Sequence, residues 1–254
     1  MKHLFKAEKI KLYYSKKFWI IAGVIAILSI LNNTSYLFNG SLTSLLGGNL
    51  VKETSEANNI NIFSGLLGSI DDGFITFLII FVSIFIGKDF DLGMFKNIVS
   101  RGFNKKKIYI SKIFSSIYAT IIFLLISMIC SLIIGLVFFQ KPLVNTNIIV
   151  NFIETITIKI LLVFAITSIS VLITTIVRNV GYSILTNLLV IRVIPSTLAM
   201  TFHSFSKYEI SNNMYKLIDI NTSSNILIYG LVISLVYIIL SNSIGMYIFA
   251  KNDL

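Results

Sequence analysis

The run Lys88–Lys112, KDFDLGMFKNIVSRGFNKKKIYISK, separates one apolar stretch ending at Gly87 from another beginning at Ile113. Its first half sets Asp89 and Asp91 where a short helix would begin, since acids suit the positive end of the helix dipole, and spaces Phe90, Met94 and Ile98 four apart. That pattern predicts a short helix with a single apolar ridge. Arg101-Gly102 ends it, because glycine readily takes the left-handed backbone angle at a helix end, and Asn104 to Lys107 adds a polar and cationic run. An apolar ridge lying just outside a membrane is a shape that a soluble partner could grip. A basic loop that only sets topology, with no partner, is the plainer reading of the same residues.

The rest of the chain makes the membrane setting plain. At 254 residues it is 56% hydrophobic and only 13% charged, with a mean hydropathy of +0.88, far outside the range of a soluble domain. A net charge of +10 could suggest nucleic acid, but that requires cations gathered on an exposed folded face, and here they flank apolar runs. Nucleic acid is therefore excluded as a partner. The single cysteine, Cys130, sits inside an apolar run and rules out an intrachain disulfide. The apolar run after the basic N-terminus lacks a convincing small-residue cleavage site, so it is expected to stay as a first span.

Residues 1–17 carry six lysines, and on a helix all but Lys11 fall within an arc of about 100°, with Leu4, Ala7, Ile10 and Tyr14 largely opposite. Such a segment would rest in the headgroup layer with its lysines toward anionic lipid, making membrane lipid an expected partner. The alternative is a disordered basic tail. Six spans follow, at about 18–36, 66–87, 113–139, 148–177, 181–202 and 225–250. Each needs about 20 residues to cross a core of about 30 Å. The first has Trp19 at the interface, and an outer loop with Lys52, Glu53 and Glu56 follows it. The second is clearly apolar only over 73–87, about 22 Å of helix, so it is expected to borrow a turn or two beyond Asp72. That leaves Asp71 and Asp72 at the outer headgroup level, as solvated acids or as a site for a cationic substrate.

Ser127, Ser131 and Gly135 in the third span, and Ser241 and Gly245 in the sixth, lie four apart and let neighbouring helices approach closely. Glu154 and Lys159 are expected near the outer interface, after an outer turn with Lys141 and Pro142. Arg192 falls close to the middle of the fifth span, one turn before Pro195. Either it faces protein, water or a carboxylate and is a functional candidate, or the helix ends near Pro195 and the arginine snorkels outward. His3 and His203 stand alone without metal-ligand spacing, and no metal or cofactor is expected. Of the 21 Lys and Arg, fifteen lie in residues 1–17 and 88–112 and at Arg178 and Lys251, against four in the outer loops including the one with Lys207, Lys216 and Asp219. The positive-inside rule then sets both termini, and the Lys88–Lys112 connection, in the cytoplasm.

The order Asp91, Gly93, Lys96-Asn97, Ser100-Arg101, a basic cluster, then Tyr109 and Lys112 resembles the first cytoplasmic loop of ABC-2 type transporter permeases. Met94 departs from it, standing where a small hydroxyl is common. The basic N-terminal segment is similar to the interfacial elbow helix of that family, and Phe249-(x)₂-Asn252-Asp253-Leu254 is similar to its usual ending. The resemblance implies an all-α polytopic membrane protein: six transmembrane helices, an N-terminal elbow, and a cytoplasmic coupling helix between spans two and three. It implies that Asp89, Phe90, Asp91, Gly93, Met94, Lys96, Asn97, Ile98 and Arg101 couple to a separate ABC ATPase subunit. It also implies a dimer, with a second copy or a similar permease, since six spans make half of a typical unit.

The sequence holds no G-x-x-x-x-G-K-[ST], H-E-x-x-H, G-x-S-x-G or paired cysteine ligands, so no catalytic residue is expected and any ATP hydrolysis belongs to a partner chain. The expected function is export of an amphipathic peptide, an antibiotic or a lipid-like molecule across a bacterial cell membrane. The Lys-, Asn- and Ile-rich composition looks like that of a low-GC bacterium, where relatives often give antibiotic or bacteriocin immunity. The rivals are a stand-alone membrane immunity or anchoring protein without an ATPase, and an intramembrane enzyme, for which only Arg192 offers an ionisable group at depth.

Overall fold

The computed structural model describes residues 2–45, 62–138, 146–218 and 223–251, and among them all regular structure is helical. The elements are α1 (Lys2–Tyr13), α2 (Lys16–Leu45), α3 (Ile62–Gly68), α4 (Asp72–Asp91), α5 (Met94–Ser100), α6 (Lys105–Phe138) and α7 (Thr146–Val177). α8 (Val180–Leu188) runs through a π turn (Leu189–Val193) into α9 (Ile194–Thr201), and α10 (Ile210–Lys216) and α11 (Ser224–Lys251) complete the chain. Six stretches are long and apolar enough to cross a membrane: Lys16–Thr34, Ile62–Asp91, Lys105–Phe138, Ile148–Val177, Val180–Thr201 and Ser224–Lys251. The protein is an all-α polytopic membrane protein. Lys52, Glu53, Glu56, Lys141, Pro142, Asp219 and the Asn252-Asp253-Leu254 ending lie outside the described residues, as do the side chains of His3 and His203.

α4 and α7 form the inner pair. α4 is hydrophobic on every side, with Phe74, Leu78, Phe81, Val82, Phe85 and Ile86 all buried, as a helix surrounded by others must be. α2 and α8 pack on α4, and α11 packs on α7 and on α6, which also meets α2. Lipid tails are as apolar as leucine, so close approach and buried polar contacts must hold such helices together. Thr120 of α6 meets Thr167 of α7 at 3.2 Å, and Asn187 of α8 donates to Ser83 of α4 at 3.0 Å and to Thr174 of α7 at 3.1 Å. Ser131 donates to the Gly65 carbonyl at 2.9 Å, so the Ser127–Gly135 row packs as the spacing predicts. Outward, α6 presents Phe114, Ile121, Leu125, Ile129, Leu132 and Leu136 at helical spacing, a face suited to lipid.

Three boundaries differ from the sequence reading. The second span is not one helix over 66–87 but α3 and α4 with a break at Ser69–Asp71, because Asp71 caps α4 by accepting the Phe74 N–H at 2.8 Å. α4 gains its length at the other end instead, where 20 residues give about 30 Å. Asp89 and Asp91 therefore end a helix and do not begin one. α6 starts at Lys105, where Asn104 accepts the Lys106 N–H at 2.9 Å, so the connection after α4 shrinks to Leu92–Asn104. The N-terminal helix stops at Tyr13, and Lys16 and Lys17 belong to α2. The fifth span, by contrast, runs past Pro195 to Thr201, close to the expected 181–202, since the wider π turn before Pro195 accommodates a ring that lacks an N–H and would crowd the preceding turn.

Gly245 of α11 lies against Tyr109 of α6, and a Cβ there would overlap the Tyr109 hydroxyl. Gly245→Leu is expected to lower the detergent melting temperature by several degrees, while Gly23→Leu, which meets nothing within 4 Å, leaves it unchanged. Thermal scanning of the two variants checks the difference.

Candidate functional site

At the basic end of the bundle, the last turn of α4 carries Asp89, only 2% exposed. One carboxylate oxygen accepts from Lys11 of α1 and the other from Lys112 of α6. Lys112 is 2% exposed and also pairs with Glu8 of α1 at 2.6 Å, so two acids and two cations from three helices form a neutral quartet around buried Asp89 and Lys112, with Lys11 half-buried. Phe85 and Phe95 line it, with the Lys112 ammonium 5.0 and 5.6 Å from their ring centres. Desolvating these charges is costly, and each is compensated by charge-assisted contacts. Such a cluster fixes how α1, α4 and α6 sit relative to one another.

Directly after Asp91 the chain turns through Leu92 and Gly93, whose φ of +62° is left-handed and suits glycine. α5 follows, ending at Ser100 with Gly102 at φ +84°. The residues of this segment part into two sets. Phe95 is buried, and its ring lies 4.4 Å from that of Phe90 and 5.3 Å from that of Phe249 on α11. Phe90, Ile98 and Val99 pack against the same core. Asp91, Leu92, Met94, Lys96, Asn97, Ser100, Arg101 and Phe103 face outward, with Leu92 59%, Phe103 41% and Met94 37% exposed. The expected ridge Phe90–Met94–Ile98 is thus split, because Phe90 lies on a different helix from the other two. The exposed apolar set is Leu92, Met94 and Phe103 among cations.

At the opposite end of α4 the break after α3 gathers a second set of charges. Asn32 of α2 donates to Asp71 at 2.9 Å and to the Gly68 carbonyl at 3.0 Å. Lys159 of α7 is 1% exposed and donates to the Leu67 carbonyl, so it is not an interfacial lysine as its sequence position suggested. With Asn32, Asp71 and Tyr215 it lines a cavity of about 200 Å³. Arg192 reaches Asp72 at 2.5 Å, while Glu154 stays exposed. Burial and the like charge of Asp72 push the Glu209 carboxyl above its usual range, opposed by Arg192. An apolar cavity of about 380 Å³ opens beside Glu209 between α7, the π turn and α11, lined by residues such as Leu172, Ile191, Pro195 and Leu240.

A family model described as ABC-2 family transporter protein matches residues 4–193, most of the chain, from within α1 through the π turn. The chain belongs to the ABC-2 transporter family. Comparison with curated proteins finds no match. Members of the family are membrane transport components, generally not catalytic themselves, and typically work with an ABC ATPase. Within this ABC-2 transporter protein the motif residues serve two purposes. Gly93, Tyr109 and Lys112 shape and anchor the turn, whereas Asp91, Lys96, Asn97 and Arg101 lie on its outer surface. Asp89, Phe90 and Ile98 face inward, so they position the segment and do not present it.

Sequence reasoning missed Glu8, Lys11, Lys159 and Glu209. Two of them carried a signal: Glu8 is the only acid in residues 1–17, and Lys11 is the one lysine off the cationic arc. Removing one partner of a buried ion cluster leaves the others uncompensated, so Asp89→Asn is expected to cost about 3 kcal/mol of stability. The variant combining Glu8→Gln, Lys11→Met, Asp89→Leu and Lys112→Met should recover most of that loss. Unfolding of both in detergent is the check, and a wild-type transition for Asp89→Asn would contradict the cluster's anchoring role.

Proposed function

We propose that this protein is the membrane-spanning permease subunit of an ABC exporter, driven by ATP hydrolysis on a separate ATPase chain. The observation that carries the reading is the turn Leu92–Asn104. Its inner side is fixed to α1, α4, α6 and α11 through Asp89, Phe95 and Phe249, and its outer side offers Leu92, Met94 and Phe103 between Lys96 and Arg101. A partner gripping those apolar side chains would move a rigid body and not a loose loop. The family's usual association with an ABC ATPase supports this partner. In this reading both termini are cytoplasmic, by the distribution of Lys and Arg, the whole of residues 1–254 acts as one transmembrane permease domain, and a second copy or a similar permease completes the pathway.

The cargo in this reading is an amphipathic peptide, antibiotic or lipid-like molecule, and the subunit contributes to antibiotic or bacteriocin immunity at a bacterial cell membrane. The apolar cavity between α7, the π turn and α11 supports an apolar portion of the cargo, and Glu209 beside it supports a polar or cationic end. Arg192 of the π turn pairs with Asp72 of α4 within electrostatic reach of Glu209.

Leu92→Glu combined with Met94→Glu is expected to cut transporter-stimulated ATPase activity about tenfold or more, as loss of an interface anchor does, with yield near that of wild type. Phe90→Glu or Ile98→Glu should instead lower the yield of folded protein, since both side chains pack inward. Purification without any nucleotide-binding protein would favour the stand-alone immunity or anchoring reading. Labelling of Ser100→Cys in a Cys130→Ala background should occur from the cytoplasmic side, and labelling only from outside would remove the ATPase from reach. Arg192→Gln, in a form that assembles, is expected to reduce transport, and an unchanged rate would take Arg192 out of the pathway.

A further inference from the structure

Between the start of α2 and the basic end of α4 lies a cavity of about 490 Å³ that adjoins the ion quartet at Lys11 and Phe85 and is not lined by the coupling turn. Its rim is cationic: Lys16 and Lys17 open α2, and Lys88 stands on α4. All three are exposed and form no ion pair among the described residues, whereas Lys11, also on the rim, is taken up by Asp89. Its floor is apolar, built from Phe81, Ile84 and Phe85. The position of Lys16 and Lys17 is itself unfavourable, since α2 has no acid in its first turn and two like charges stand at the positive end of the helix dipole. An anion held there would relieve both the dipole and the mutual repulsion. The cavity lies where the N-terminal helix meets the first span, and one turn on from Lys16 stands Trp19, which is 55% exposed and whose indole donates to the Tyr13 carbonyl at 3.0 Å. Indoles favour that level of a bilayer.

We propose that this cavity is a binding site for one anionic phospholipid of the leaflet at the basic end, its headgroup phosphate between Lys16, Lys17 and Lys88 and its upper acyl chain on Phe81 and Ile84. Charge complementarity selects an anion over a zwitterion, and the apolar floor selects a lipid over a free phosphate. The site is independent of the coupling turn, so it stands or falls separately from the ATPase reading.

Trp19 is the only tryptophan and lies one turn on from Lys16, which makes it a built-in reporter. The full-length protein is placed in phosphatidylcholine nanodiscs in which about one lipid in ten is either phosphatidylglycerol or phosphatidylcholine brominated near the glycerol end of its acyl chains. Brominated phosphatidylglycerol is expected to quench Trp19 well beyond brominated phosphatidylcholine at the same fraction. Each of Lys16→Gln, Lys17→Gln and Lys88→Gln should weaken that preference, by up to about fivefold per lysine. The double variant Lys106→Gln, Lys107→Gln lowers net charge away from the cavity and should keep the wild-type preference. Equal quenching by the two lipids in the wild type overturns the site, as does equal loss in the Lys106/Lys107 control, which would mean diffuse surface attraction. A gel-filtration profile matching wild type qualifies each variant, and Lys88→Arg, which keeps the charge, should retain the preference if Lys88→Gln loses it.

Discussion

Asp89 is almost wholly buried, and its two oxygens are satisfied by ammonium groups from two different helices. Because the alternative is an uncompensated buried charge, the three helices that supply the quartet cannot slide or rotate independently without large cost. Net stability from such a cluster is modest, since desolvation offsets most of the attraction. Its consequence is geometric: α1 is fastened across the end of α4 and α6, and the chain leaving α4 must turn at Leu92 and Gly93. α5 then has a defined floor, Phe95 against Phe90 and Phe249, and a defined outer face.

The opposite end of the bundle is held differently. The α3–α4 break, the π turn and the Arg192–Asp72 pair all interrupt regular helix at similar depth, and Asp72 is 70% exposed at its side chain. An ion pair open to solvent contributes about 0 to 1 kcal/mol. Lys159 is the exception: fully buried, it relies on the Leu67 carbonyl released by the break and on nearby Asp71. A helix that ran unbroken through Ser69 would use that carbonyl itself, so the break and the buried lysine explain each other.

The six spans and their all-α character were legible because each apolar run is long and few charges interrupt it. The Gly102 stop and the Ser/Gly packing rows were legible too, since they follow from local stereochemistry. What was not legible depended on partners distant in sequence. Asp89 reads as a helix-starting acid when only its neighbours are considered, and becomes a helix-ending acid once Lys11 and Lys112, 78 and 23 residues away, are brought to it. Lys159 reads as interfacial from its place near the start of a span, because nothing local reveals that a break between α3 and α4 would offer it a carbonyl. The apolar ridge failed for the opposite reason: a spacing of four holds only within one helix, and Gly93 separates Phe90 from Met94 by a left-handed turn.

The two ends therefore differ in stiffness for a reason that can be stated in energies. At the basic end, moving α5 relative to α4, α6 and α11 would expose buried charges and separate a continuous ring stack, each step costing several kcal/mol. At the other end, parting the π turn from the start of α4 breaks one ion pair whose acid is largely solvated. A push on the outer face of α5 would be carried through α4 with little deformation and released where the contacts are weakest, beside Arg192, Asp72 and Glu209. The direction in which such a molecule yields is set by that contrast: Asp89 and Lys112 are buried and paired at one end, and Asp72 is solvated at the other.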